Sequence, residues 1–170
     1  MASTHKIVVM GVAGSGKTTL AEALAAALGC PAVEGDQYHS AESRAKMSRG
    51  IPLDDTDREP WLLRLGELMA VHEGDLVLSC SALKRRYRDL LRSKVPRLRF
   101  VYVDIDEATA TDRVAGRSGH FFPDTLVKAQ FAALESPVGE EGVHSVSAHD
   151  GTPAQVASCL RWLEGLGKRS

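Results

Sequence analysis

The sequence predicts an α/β fold: a five-stranded parallel sheet with helices on both faces, organised around a phosphate-binding loop. Three observations predict it. Gly11-Val12-Ala13-Gly14-Ser15-Gly16-Lys17-Thr18 satisfies G-x-x-x-x-G-K-[ST] at every fixed position. The pattern lies between a short apolar run, Ile7 to Met10, and a segment with leucines at 20, 24 and 28, which is one face of a helix. Beyond it, strand-like apolar runs alternate with helix-period segments, as in a parallel sheet covered on both sides.

Taken in order, Ile7 to Met10 is a buried strand running into the loop, and the helix that leaves the loop ends at Gly29-Cys30-Pro31. Ala32 to Glu34 is a short second strand that delivers Gly35-Asp36 to the loop's end of the sheet. Residues 37–53 are polar and read as one or two short helices and a loop. Pro60 is expected to open the next helix, because proline is well tolerated at the first helical position, with Trp61, Leu65, Leu68, Met69 and His72 on one face. Gly74-Asp75 turns the chain into a buried strand, Leu76 to Cys80. Ser81 is expected to cap a basic helix with Leu83, Tyr87, Leu90 and Leu91 inward. Leu98 to Val103 is the fourth strand, and Asp106 caps a helix to about Gly116. Residues 117–123 form a loop, Asp124 to Glu135 a helix, and Val143 to Ala148 the last strand. Gly151-Thr152-Pro153 starts a final helix with Val156, Cys159, Leu160 and Leu163 inward.

A chain of 170 residues suits a single domain over 1–170, and a net charge of −1 gives no general pull toward nucleic acid or membrane. No apolar run approaches the ~20 residues of a membrane span, and no secretory h-region precedes the first strand. Cys30, Cys80 and Cys159 are far apart with no C-x-x-C, which points to a reduced, cytoplasmic compartment. There is no H-E-x-x-H, so no zinc site is expected.

The loop's residue types suit a nucleotide triphosphate. Backbone N–H groups of a tight turn, with the positive end of a helix behind them, hold phosphate charge. Gly11, Val12, Ala13, Gly14, Ser15, Gly16, Lys17, Thr18 and Thr19 are therefore the expected ATP-binding residues. Lys17 reaches the β- and γ-phosphates, and the Thr18 hydroxyl ligates Mg²⁺. A dinucleotide fingerprint is disfavoured, because Thr19 stands where the third glycine belongs. A guanine-reading N-K-x-D is impossible in a chain without asparagine, and there is no D-x-x-G. The strand at 76–80 ends in Ser79-Cys80 rather than in acids, against an ATP-driven machine. A small-molecule or nucleotide kinase is the leading class.

Such a kinase needs a carboxylate at the acceptor hydroxyl, groups that recognise the acceptor, and a lid that excludes water. Asp36 is the candidate carboxylate. His39, Arg49, Asp57, Arg58, Lys84 and Arg88 are candidates for recognition. Arg113 and Arg117 lie four apart on one helix face and run into Gly119-His120-Phe121, as a nucleotide-covering lid would. The run from Lys84 to Arg99 is rich in lysine and arginine, but no aromatics interleave with it to stack bases. A solvated face with Lys84 or Arg88 turned to an anionic substrate is the preferred reading.

Together these segments resemble the small P-loop gluconate kinases, relatives of shikimate and nucleoside-monophosphate kinases. The resemblance covers nearly the whole chain. Its carrying segments are Met10 to Thr18, Glu34-Gly35-Asp36-Gln37-Tyr38-His39, Lys46 to Leu62, Cys80 to Leu91, Gly119-His120-Phe121-Phe122 and Gln130 to Pro137. The pairing of G-x-P-L-x-D-x-D-R-x-P-W with C-S-A-L-K is the most specific part. Glu34 departs from the family's usual aspartate, and Gln37-Tyr38-His39 is a variant form.

The resemblance implies a P-loop kinase fold with an acceptor-binding insertion at about 37–60 and a mobile lid at about 113–130. It implies ATP-dependent phosphorylation of D-gluconate at the C6 hydroxyl, with Mg²⁺, and a homodimer with no nucleic-acid or membrane partner. It implies Lys17, Asp36 and Arg117 as catalytic, Arg113 and Arg117 on the nucleotide, and His120 and Gln130 with the acceptor-binding set. Two other readings stand beside it. One is a sibling kinase for shikimate or a nucleoside monophosphate. The other is a nucleotide-binding, RNA-associated protein that uses the basic 84–99 run.

Overall fold

A computed structural model describes residues 4–116 and 124–167. The strands β1 (Lys6–Met10), β2 (Ala32–Glu34), β3 (Leu76–Ser79), β4 (Arg99–Asp104) and β5 (Val143–Ser147) form one parallel sheet in the order β2-β3-β1-β4-β5. β1 is central, with Val8 beside Leu78 on one flank and Phe100 on the other. Successive side chains of a strand point to opposite faces, and the two cores follow from that. Ile7 and Val9 join Val77, Val101 and Val103 under α1 (Lys17–Leu28) and α7 (Thr152–Gly167). Val8 and Met10 join Leu78, Phe100 and Tyr102 under α3 (Asp55–Val71) and α4 (Arg85–Lys94). The continuous apolar runs of the central strands are explained by this two-sided burial.

The remaining helices are α2 (Ala41–Ser48), α5 (Glu107–Ala115) and α6 (Asp124–Ala133), with a short 3₁₀ turn at Gly35–Tyr38. Asp106 caps α5 as expected, its carboxylate accepting from the Thr109 amide at 2.9 Å.

Two expected helix starts are corrected. α3 begins at Asp55, not at Pro60. Asp54 accepts from the Asp57 amide at 2.8 Å and Asp57 accepts from the Asp54 amide at 3.1 Å, a reciprocal capping box. Pro60 then sits inside the helix, where its φ fits and one backbone hydrogen bond is lost. α4 begins at Arg85, and its N-cap is Lys84 rather than Ser81. The Lys84 side chain makes no cap; the Glu135 carboxylate, from beyond α6, accepts from the Arg85 amide at 2.8 Å. An anion at a helix N-terminus is favoured by the helix dipole, and this one arrives from 50 residues away in sequence.

Candidate active site

The carboxyl ends of β1, β2 and β3 open into one cleft of about 390 Å³, within the range of small-molecule sites. The phosphate-binding loop forms one wall between β1 and α1. Gly14 there has φ +83°, and a Cβ would meet the Ala110 carbonyl at 2.8 Å, so both conformation and close approach require glycine. Lys17 opens α1 and lines the cleft. The Thr18 hydroxyl donates to Glu34 Oε2 at 2.6 Å, across from the end of β2.

Asp36 stands on the 3₁₀ turn that follows β2. The turn is seated hard on the sheet: a Cβ on Gly35 would lie 2.5 Å from the Ser79 carbonyl. The Asp36 side chain is 58 % accessible, yet what it faces is the concave cleft, so protein surrounds it on most sides. That crowding pushes its carboxyl pKa up. The neighbouring His39 imidazole, with the charges of Lys17 and Arg58, outweighs it and holds the group below its ordinary value. Asp36 is thus an ionised acceptor facing the loop lysine. His39 Nε2 lies 3.6 Å from Asp36 Oδ1, and its ring stacks on Trp61 with centroids 4.0 Å apart.

The insertion supplies the far wall. Asp54, Asp55 and Arg58, at the start of α3, line the cleft together with Lys84 and Tyr87. Lys84 is neutralised in place: its ammonium donates to Asp55 at 3.1 Å, and Tyr87 and Arg86 donate to the same carboxylate. These donors lower the Asp55 pKa, the Tyr87 hydroxyl first. Arg58 differs. Its Nε donates to the Leu53 carbonyl at 3.3 Å, its guanidinium lies 5.4 Å from the Tyr87 ring centroid, and it pairs with no carboxylate among the described residues. From α6, the Gln130 side-chain oxygen accepts the Ala13 amide at 2.7 Å, so its NH₂ group is the part left for other partners.

Of the residues expected from the sequence, Ala13, Lys17, Asp36, His39, Arg58, Lys84 and Gln130 share this cleft. Three expected for the acceptor are not brought to it. Arg49 is exposed at the end of α2. Asp57 is committed to the capping box and to Lys46, whose ammonium lies 2.9 Å away. Arg88 is fully buried behind the cleft, donating to Glu140 and to the carbonyls of Ala82, Leu83 and Glu135. Arg113 donates to the Gly14 carbonyl at 3.2 Å and the Ala148 carbonyl at 2.9 Å, and so ties the phosphate loop to the end of β5. Arg117 and His120 lie outside the described residues.

Sequence reasoning missed Ser81, Asp54, Asp55 and the polar role of Tyr87. The run Asp54-Asp55-Thr56-Asp57 did carry a signal for two of them: D-x-x-D before an apolar helical face is a capping pattern. The basic stretch of α4 is neutralised by acids, Arg85 with Asp89, Arg86 with Glu59, Arg92 with Glu140 and Lys94 with Glu67. Among the described residues, no group of three or more His, Cys, Asp or Glu side chains is placed to hold a metal alone, and no helix is long and apolar enough to cross a membrane.

Comparison with known proteins agrees with this geometry. A family model described as an AAA domain matches residues 7–137. A gluconokinase of Gluconobacter oxydans is 46 % identical over 162 residues, covering 93 % of this chain and 90 % of that protein. The crystal structure of a gluconokinase from Sinorhizobium meliloti superposes with a TM-score of 0.90 at 43 % identity, covering 98 % of both chains. A shikimate kinase from Bacteroides thetaiotaomicron, at 16 % identity and a TM-score of 0.67 over 95 % of this chain and 99 % of that one, shares the fold alone.

Proposed function

The chain belongs to the AAA-domain family and to the gluconokinases, and on that premise we propose that its cleft transfers the γ-phosphoryl group of ATP to the C6 hydroxyl of D-gluconate, giving 6-phospho-D-gluconate and ADP. The observation that carries the reading is one cleft holding Lys17, an ionised Asp36 and the guanidinium of Arg58, which pairs with no carboxylate among the described residues. That is a phosphate ligand, a proton acceptor and a carboxylate clamp within reach of one small polyol acid.

The chemistry follows from the placement. The loop amides and Lys17 hold the β- and γ-phosphates. Asp36 accepts the proton of the C6 hydroxyl as its oxygen attacks the γ-phosphorus, and the bond to the departing ADP oxygen breaks in line. Arg58 binds the gluconate carboxylate through its two terminal nitrogens, geometry that a lysine lacks. Lys84, already paired with Asp55, serves with Asp55, His39 and the Gln130 NH₂ group as a partner for the sugar hydroxyls.

Thr18 Oγ1 and Glu34 Oε2, paired at 2.6 Å beside Lys17, are hard oxygen donors of the kind that hold Mg²⁺ together with phosphates. Bound there, Mg²⁺ supplies neutralisation of the phosphate oxygens. Arg117 and His120 complete the site from a lid at about 113–130, with Arg113 acting from the loop side. We expect a cytoplasmic homodimer; light scattering tests the dimer.

The test is ADP release from Mg-ATP with D-gluconate, shikimate, AMP or no acceptor. Turnover with gluconate alone is expected. Intact ATP binding with no gluconate-dependent release overturns the reading.

A further inference from the structure

We propose that Trp61, a core residue of α3 that does not line the cleft, is a positioning residue for phosphoryl transfer, its indole holding the Asp36 turn from both ends. The inference rests on Asp36 being the carboxylate that faces the acceptor hydroxyl. Trp61 is 4 % exposed. Its Nε1–H donates to the Gly35 carbonyl at 2.9 Å, and its ring stacks on His39 at 4.0 Å with planes 25° apart. Gly35 immediately precedes Asp36, and His39 follows it by three residues. One side chain therefore grips the backbone on one side of the carboxylate and the imidazole that faces it on the other.

Arg44 of α2 also grips the turn beyond Asp36, donating to the carbonyls of Gln37 and His39. Around Asp36 itself the hydrogen bonds are long: the His39 amide to the Asp36 carbonyl at 3.4 Å, and the Asp36 amide to Glu34 Oε1 at 3.3 Å. Both lie beyond the usual 2.7–3.2 Å span for N–H···O bonds, whereas the indole bond lies at its centre. Gly35 lies close enough to β3 that a side chain there would strike the Ser79 carbonyl. The His39 ring makes no conventional hydrogen bond: Nδ1 is buried without a partner and Nε2 stands 3.6 Å from Asp36. Stacking on Trp61 is what orients it.

The same helix carries Arg58, one turn before Trp61, into the cleft. α3 thus sets the span between the group that clamps the acceptor's carboxylate and the group that receives its proton. A misplacement of about 1 Å in such a span costs on the order of a hundredfold in rate. This accounts for the tryptophan that closes the D-x-D-R-x-P-W segment, a residue with no chemistry of its own to contribute.

Trp61→Phe keeps a ring under His39 and removes the donor to Gly35; Trp61→Leu removes both. We expect kcat to fall about tenfold in the first and about a hundredfold in the second, with the KM for ATP within about twofold of wild type. In a His39→Gln background the extra loss of Trp61→Leu over Trp61→Phe disappears, because no imidazole is left for the ring to orient. If Trp61→Leu does not fold, the kcat and melting temperature of Trp61→Phe decide the matter. A lowered melting temperature with wild-type kcat in Trp61→Phe, or an extra loss in Trp61→Leu that persists beside His39→Gln, overturns the inference alone. Undiminished turnover in Asp36→Asn overturns the reading of Asp36 beneath it.

Discussion

Replacing Arg88 by methionine removes a guanidinium that is 0 % exposed and has every N–H group engaged. Nε and Nη2 grip the two Glu140 oxygens at 3.0 and 2.6 Å, Nη1 donates to the carbonyls of Ala82 and Leu83 at 2.8 and 3.0 Å, and Nη2 also reaches the Glu135 carbonyl at 2.9 Å. In the variant, Glu140, whose side chain is only 10 % exposed, keeps Arg92 as its sole cation among the described residues, and three carbonyls lose a donor. Breaking a buried pair from one side costs about 3–5 kcal/mol. For a chain of this size each kcal/mol moves the melting temperature by about 2–4 °C, so a fall of roughly 6–20 °C is expected.

Thermal unfolding followed by circular dichroism measures the fall, and steady-state kinetics well below the transition should find the KM for gluconate within about twofold of wild type. The gap also depends on pH. Burial pushes the Glu140 pKa up, but Arg88 and Arg92 outweigh it and hold the pKa below its ordinary value. A carboxyl with a depressed folded pKa contributes stability that is present above its unfolded pKa and lost as pH falls through the folded one. The gap between wild type and variant therefore narrows in acid, below the ordinary glutamate range. Adding Glu140→Leu to Arg88→Met recovers part of the loss, because an apolar replacement of the whole pair leaves no stranded charge. An unchanged melting temperature with a gluconate KM raised about a hundredfold would refute the argument and return Arg88 to the acceptor site.

Three further outcomes are expected. Asp36→Asn lowers kcat by about 10²–10⁴-fold while ATP binding, measured by calorimetry, is retained; full turnover in a folded variant removes Asp36 from proton transfer. Carbon-detected NMR titration of the free protein places the Asp36 carboxyl below the ordinary aspartate value, and His39→Gln moves it upward. Arg58→Lys raises the KM for gluconate by about tenfold or more with little change in that for ATP, since a point charge does not replace a planar two-pronged donor; equal effects on both substrates would count against a carboxylate clamp.

The phosphate loop, the strand-helix alternation and the place of Asp36 at the sheet's carboxyl edge were legible in the sequence, because each rests on local rules. A glycine-rich turn between an apolar run and a leucine-spaced helix has few other uses, and side-chain period separates strand from helix without knowledge of neighbours. Chemical type could likewise be read from Lys17, Asp36 and Arg58 one residue at a time. The two misplaced helix starts show where local rules compete. Pro60 and Ser81 are each good start signals, and each was overridden, one by the upstream capping box of Asp54 and Asp57 and the other by a carboxylate arriving from Glu135.

What only the tertiary structure decided is which cations are free. Arg49, Arg58, Lys84 and Arg88 look alike in a sequence, since all are basic residues near acids and apolar helices. Folding places Arg49 outside the cleft, pairs Lys84 with Asp55, seals Arg88 against Glu140 and three carbonyls, and leaves Arg58 unpaired toward the cleft among the described residues. The difference lies in contacts between residues as many as 52 positions apart. A charge becomes a ligand or a brace according to what the fold sets beside it, and no local pattern encodes that neighbour.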